Sequence, residues 1–201
     1  MKTNEKTENG SKKSRSLRNL TWSAMYLAIA MVLPLLTGQI PDIGRALSPL
    51  HIPALLCGFS CGWTWGLAVG FVSPLLRNLL FGMPTMPGAV FMAFEMAVYG
   101  LMTGWLYRLL PKKPWNVYVA LLTAMLSGRV AWAIARTAFA WLNGESIPFR
   151  LILDSTVLTA VPGIVLHIVL IPLLVLAMER AGLILPKQRK KSKNGEKCND
   201  E

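Results

Sequence analysis

The stretch Gly88–Tyr107, GAVFMAFEMAVYGLMTGWLY, decides how the rest of the chain is read. Its twenty residues are apolar or small with one exception, Glu95. About twenty apolar residues in a helix are enough to cross the hydrocarbon core of a bilayer. A carboxylate in such a run is costly unless it faces a bundle interior or a wet cavity and meets a partner. The stretch therefore predicts a transmembrane helix, and it marks Glu95 as a candidate functional residue.

The same texture extends through most of the chain. Of 201 residues, 53% are hydrophobic and 15% charged. The net charge of +11 is concentrated in two polar, basic tails, residues 1–18 and 185–201. Between them the segment 19–184 reads as a membrane domain. The charge therefore points to topology and to anionic lipid headgroups rather than to nucleic acid, and the tails read as solvated, disordered flanks. The first apolar run follows a polar lead and outlasts a signal peptide, so it reads as a first transmembrane helix. Cys57 and Cys61 lie four apart on an apolar segment with no acid or histidine spaced to complete a metal site. They read as small packing residues, and Cys198 as a lone thiol in the tail.

Six spans can be drawn. The first covers about Leu20–Leu36 and ends at TGQIPDIGRALSP. Two short runs follow, HIPALLCGFSCGW and TWGLAVGFVSPLLRNLLF, parted by a Gly/Trp turn; their length suggests tilted or partly re-entrant segments. GMPTMPG is a loop set by paired glycines and prolines. The Glu95 helix runs to about Leu110, the fifth span from about Trp115 to Trp141, and the sixth from about Arg150 to Ala181. Both tails carry the Lys/Arg excess, so both termini are expected in the cytoplasm, which requires an even number of spans. Six also puts Arg108, Lys112 and Lys113 inside and the sparsely charged loops with Asp42, Arg45 and Glu145 outside. The expectation is an all-α polytopic membrane protein with six transmembrane helices.

Few ionisable residues fall at membrane depth: His51, Arg77, Glu95, Arg129, Arg136, Asp154 and His167. At a rise of about 1.5 Å per residue, Glu95 lies roughly 10 Å inside the outer end of its helix, and Arg136 and Asp154 roughly 8 Å. The three are expected in one outer layer. Arg77 and Asn78 close the third span near the same surface. Arg129 is two turns deeper than Arg136 on the same face, with Trp132 between them. The candidate substrate-binding set is Arg77, Asn78, Glu95, Arg129, Trp132, Arg136 and Asp154. A structural salt-bridge network is the competing reading. Arginine suits a ligand carboxylate or carbonyl through its planar donors, and His51 and His167 read as structural.

Three segments carry a resemblance: AMYLAIAMVLP at 24–34, LHIPALLCGFSCGWTWGLAVGFVSPLLRNLLFGMP at 50–84, and MPGAVFMAFEMAVYGLMTGWLY at 86–107. They resemble the substrate-binding (S) component of energy-coupling factor (ECF) vitamin transporters, and in texture most closely the pantothenate-type branch. The resemblance implies a six-helix subunit of a prokaryotic cell membrane that captures a vitamin outside and topples to carry it inward. It implies partnership with a transmembrane coupling subunit and two cytoplasmic ATPases, which use the ATP; the S component itself binds no cofactor. It further implies that Ala24 and Ala28, matching an Ala-x-x-x-Ala pattern, contact the coupling subunit, that helices four to six line the ligand site, and that GMPTMPG is its lid.

Two other classes compete. A stand-alone proton-coupled carrier would use Glu95 or Asp154, but such carriers are usually larger and often carry inverted repeats, which are not visible here. An intramembrane enzyme would need a motif such as HExxH or GxSxG, and the chain has neither; it also lacks GxxxxGK[ST], so any ATPase must be a partner.

Overall fold

A computed structural model describes residues 2–36, 49–111, 114–144 and 161–182. Among them are six α-helices and no strand: α1 Lys2–Leu36, α2 His51–Cys61, α3 Trp63–Phe81, α4 Gly88–Leu109, α5 Pro114–Leu142 and α6 Val161–Arg180. Four of these, α3 to α6, are long and apolar enough to cross a membrane.

Two elements differ from their sequence reading. Residues 2–18, expected to be a disordered flank, continue α1 toward the N-terminus. Nothing in Lys2–Arg18 breaks a helix except Gly10, and extending an existing helix adds about one hydrogen bond per residue fixed. The first of the two short runs is enclosed by protein rather than by lipid. At 11 residues α2 covers only part of the thickness of a bilayer, and every one of its residues is buried. It is a core helix, enclosed by α1, α3, α4 and α6. An apolar run of this length looks the same to hydropathy whether lipid or protein surrounds it.

The breaks fall where glycine and proline were expected to put them. Gly62 adopts φ 99° and donates its N–H to Gly58 at 3.1 Å, ending α2 before Trp63 starts α3. Gly82, at φ 67°, closes α3 by donating to the Asn78 carbonyl at 2.8 Å. The loop from 82 to 87 then turns the chain into α4.

Helix α4 is the axis of the arrangement, packed on α2, α3 and α5. One face is small. A Cβ on Gly66 would come within 2.5 Å of the Gly100 carbonyl oxygen, and one on Gly70 or Gly104 would also meet backbone across the seam. Side chains are excluded there, and the helices touch main chain to main chain, as membrane helices do where small residues line the interface. The opposite face carries Phe91, Glu95 and Tyr99 at four-residue spacing, which places them in one row on the helix. That row faces α5. Phe91 meets Phe139 edge to face, with ring centroids 5.4 Å apart. The Tyr99 ring occupies the space that a side chain at Gly128 would fill. These two contacts fix the antiparallel register of α4 and α5.

Candidate functional site

Glu95 is 2% exposed. A buried carboxylate persists only where donors and a cation replace its water, and the fold supplies both. Tyr99, one turn along α4, donates its hydroxyl to Glu95 Oε1 at 2.6 Å. Arg129 Nη1, from α5, lies 3.2 Å from the same oxygen. His51 Nε2, at the start of α2, lies 3.8 Å away. The His51 ring also packs on Tyr99 at 5.3 Å and on His167 of α6 at 5.9 Å between centroids. A single polar node thus joins α2, α4, α5 and α6 inside an apolar bundle.

The expected layer of Glu95, Arg136 and Asp154 is not what forms around Glu95. Its cation is Arg129. The register explains the difference: Phe91 opposes Phe139 and Tyr99 opposes Gly128, so Glu95 falls between those contacts and faces the stretch reached by Arg129. Arg136 turns its guanidinium over the Trp132 ring of its own helix instead. Asp154 lies outside the described residues. The two histidines, expected as structural groups without neighbours of interest, both belong to the node.

Arg129 is not exhausted by Glu95. Its side chain is 20% exposed, and its buried Nε has no hydrogen-bond partner among the described residues. Geometry of this kind leaves donor capacity on a guanidinium whose position is already fixed.

One turn from the node toward Gly88, a cleft of about 440 Å³ opens between α4 and α5. Its walls include Phe91 and Met92 from α4 and Trp132, Arg136 and Phe139 from α5, with Pro87 and Gly88 at the end of the preceding loop. The Arg136 guanidinium carbon sits 5.1 Å from the Trp132 ring centroid. A volume of this size suits a small-molecule ligand.

Arg77 and Asn78 do not line this cleft. Arg77 is buried, donates to the Met31 carbonyl of α1 at 3.5 Å, and has its guanidinium carbon 5.6 Å from the Phe81 ring centroid. Asn78 donates its amide to the Pro84 carbonyl at 2.6 Å. Asn78 therefore ties the loop that ends in Pro87 and Gly88 to α3, and both residues hold the frame rather than the cavity. Phe91, Tyr99 and Phe139 were not among the sequence candidates. The four-residue spacing of Phe91, Glu95 and Tyr99 was the available signal.

Elsewhere, Ala24 and Ala28 are exposed on α1, whereas Ser23, Tyr26 and Ala30 turn inward. Tyr26 donates to Met178 Sδ at 3.6 Å and Tyr107 donates to Glu179, tying α1 and α4 to α6. Cys57 and Cys61 are buried free thiols packed against Ser23 and Ser60, each at 3.6 Å; Cys198 is outside the described residues.

A family model described as ECF transporter, substrate-specific component, matches residues 18–178. Comparison with curated proteins and with solved structures returns no further match. The family match spans the helices that build both the polar node and the cleft and covers most of the chain: this protein belongs to the ECF transporter substrate-specific components, transport subunits rather than enzymes.

Proposed function

We propose that this chain captures a small, carboxylate-bearing micronutrient of the vitamin class in the cleft between α4 and α5. Trp132 and Arg136 wall the cleft. Arg129 reaches it from one turn below, held by Glu95, which orients the arginine and does not itself meet the ligand. Asp154 joins the site from the start of the sixth span, Asn78 holds the loop 82–87 beside it, and Arg77 ties α3 to α1 behind it. The observation that carries this reading is Arg129: a guanidinium pinned by Glu95 whose Nε has no hydrogen-bond partner among the described residues, three residues along α5 from Trp132 of the cleft wall.

In this reading the chain crosses the membrane six times with both termini in the cytoplasm of a prokaryotic cell, and the cleft opens outside. The Lys/Arg excess of both tails supports that orientation. Delivery inward then requires a transmembrane coupling subunit and two ATPases that consume ATP, and this chain docks through Ala24 and Ala28. Their exposure on α1 supports the assignment, since small residues permit close helix approach. A proton-coupled carrier built on Glu95 is less well supported. That carboxylate is already engaged by Tyr99 and Arg129.

Equilibrium binding of the purified chain to a panel of vitamins tests the capture step. Pantothenate, the acid suggested by the sequence texture, is its first member. Tight binding of one carboxylate vitamin is expected; binding of none removes the reading. Ala24→Leu and Ala28→Leu should leave that affinity unchanged while reducing co-purification of the coupling module and uptake. Uptake that continues without the ATPases and collapses with the proton gradient would favour the carrier instead.

A further inference from the structure

The walls of the cleft say more about its ligand than charge alone. Three of them are aromatic: Phe91, Trp132 and Phe139. Phe91 and Phe139 form an edge-to-face pair, with ring planes at 71°. In such a pair the ring that presents its edge keeps both of its faces clear of its partner. Phe139 is 42% exposed, so the pair is not sealed by other protein groups. The Arg136 head lies over the Trp132 ring, which extends the indole with a second planar group. An aliphatic chain gains from such walls only in proportion to the area it buries. A flat π ring gains the same area term and, in addition, the quadrupole interactions of stacking.

The polar part of the lining is equally selective. Among the described lining residues there is one cation, Arg136, and no acid. A guanidinium carries five N–H donors, more than a single partner consumes. Its N–H groups can therefore serve a planar acceptor as well as another partner while its head lies over Trp132. A cleft of about 440 Å³ has room for a molecule of one or two rings.

We infer that the cleft selects a ligand built on a flat unsaturated ring with a carboxylate or carbonyl at its edge, the ring resting among Phe91, Trp132 and Phe139 and the acceptor meeting Arg136. The inference rests on the reading of the chain as a solute-binding subunit and narrows its substrate class. Within the carboxylate vitamins it disfavours pantothenate, which has no ring.

The test uses the full chain in lipid nanodiscs and calorimetric titration with three kinds of probe. Nicotinate and pyridoxate supply a ring with an acid, pantothenate an acid without a ring, and thiamine a ring with a cation. A ring acid should bind at least about tenfold tighter than pantothenate, the ratio expected from one to two aromatic contacts. Trp132→Leu should remove most of that preference in protein that remains monodisperse, and Trp132→Phe should restore it. Pantothenate binding as tightly as every ring acid would overturn the inference and leave the capture reading standing. So would a Trp132→Leu variant with unchanged ring-acid affinity. Thiamine binding tighter than the ring acids would overturn the acceptor half. Binding of no probe would count against the inference and the capture reading together.

Discussion

The two faces of α4 are built on opposite rules. Toward α2 and α3 the helix offers Gly100 and Gly104, and the partners offer Gly58, Gly66 and Gly70. Toward α5 it offers Phe91, Glu95 and Tyr99, and the partner answers with Phe139, Arg129 and Gly128. Where these glycines meet, the first seam has no room for a side chain. The second holds large side chains, buried charge and a cavity. Water cannot drive helices together within lipid, so a membrane bundle gains its stability from close packing and from polar pairs. This molecule separates those two sources onto two sides of one helix. The glycine seam holds the bundle together, which lets the other seam keep a cleft and a partly engaged arginine.

Substitutions on the two seams should therefore fail in different ways. Gly100→Leu should have the largest effect. Its side chain would meet the backbone of Gly66, which cannot move aside, and overpacking of this kind costs about 3 kcal/mol or more. Folded, monodisperse protein should be largely lost, as read by size-exclusion chromatography. A stable Gly100→Leu protein would break the comparison at its first term.

Arg129→Ala comes next. It leaves Glu95 buried without its cation, at a cost of about 3 kcal/mol, and it removes the donor proposed for the ligand. Thermal stability should fall and ligand binding should disappear in the protein that remains folded. Glu95→Gln, which preserves an acceptor for Tyr99, should cost less stability and still weaken binding by about tenfold or more, because Arg129 loses its anchor. Smallest is Asn78→Ala. Loss of the bond to Pro84 frees the loop beside the cleft, and the ligand off-rate should rise by about threefold with little change in melting temperature. An unchanged off-rate would remove Asn78 from any role at the site.

How much of this was legible in the sequence follows the same division. The glycine and proline positions that end helices were readable, because Gly62, Gly82 and the 82–87 loop act locally through backbone conformation. The importance of Glu95 was readable because a carboxylate stands out in an apolar run. Its partner was not. Pairing with Arg129 depends on the register of α4 against α5, which Phe91, Phe139, Tyr99 and Gly128 set across a sequence separation that no local pattern encodes. That His51 and His167, read as structural, meet at the node was hidden for the same reason: each reaches it from a different helix. The buried position of α2 was hidden because lipid and protein interiors select the same residues.

The central claim is that Glu95 and Arg129 serve the ligand and not only the fold. The double variant Glu95→Gln with Arg129→Gln tests it most directly. It removes both charges at once, so no buried ion is left unpaired. Melting temperature and ligand affinity should be measured on the same nanodisc sample. The account predicts a melting temperature well above that of Arg129→Ala, close to the parent, with ligand binding still lost. Recovery of binding together with stability would contradict it and reduce the node to a structural ion pair.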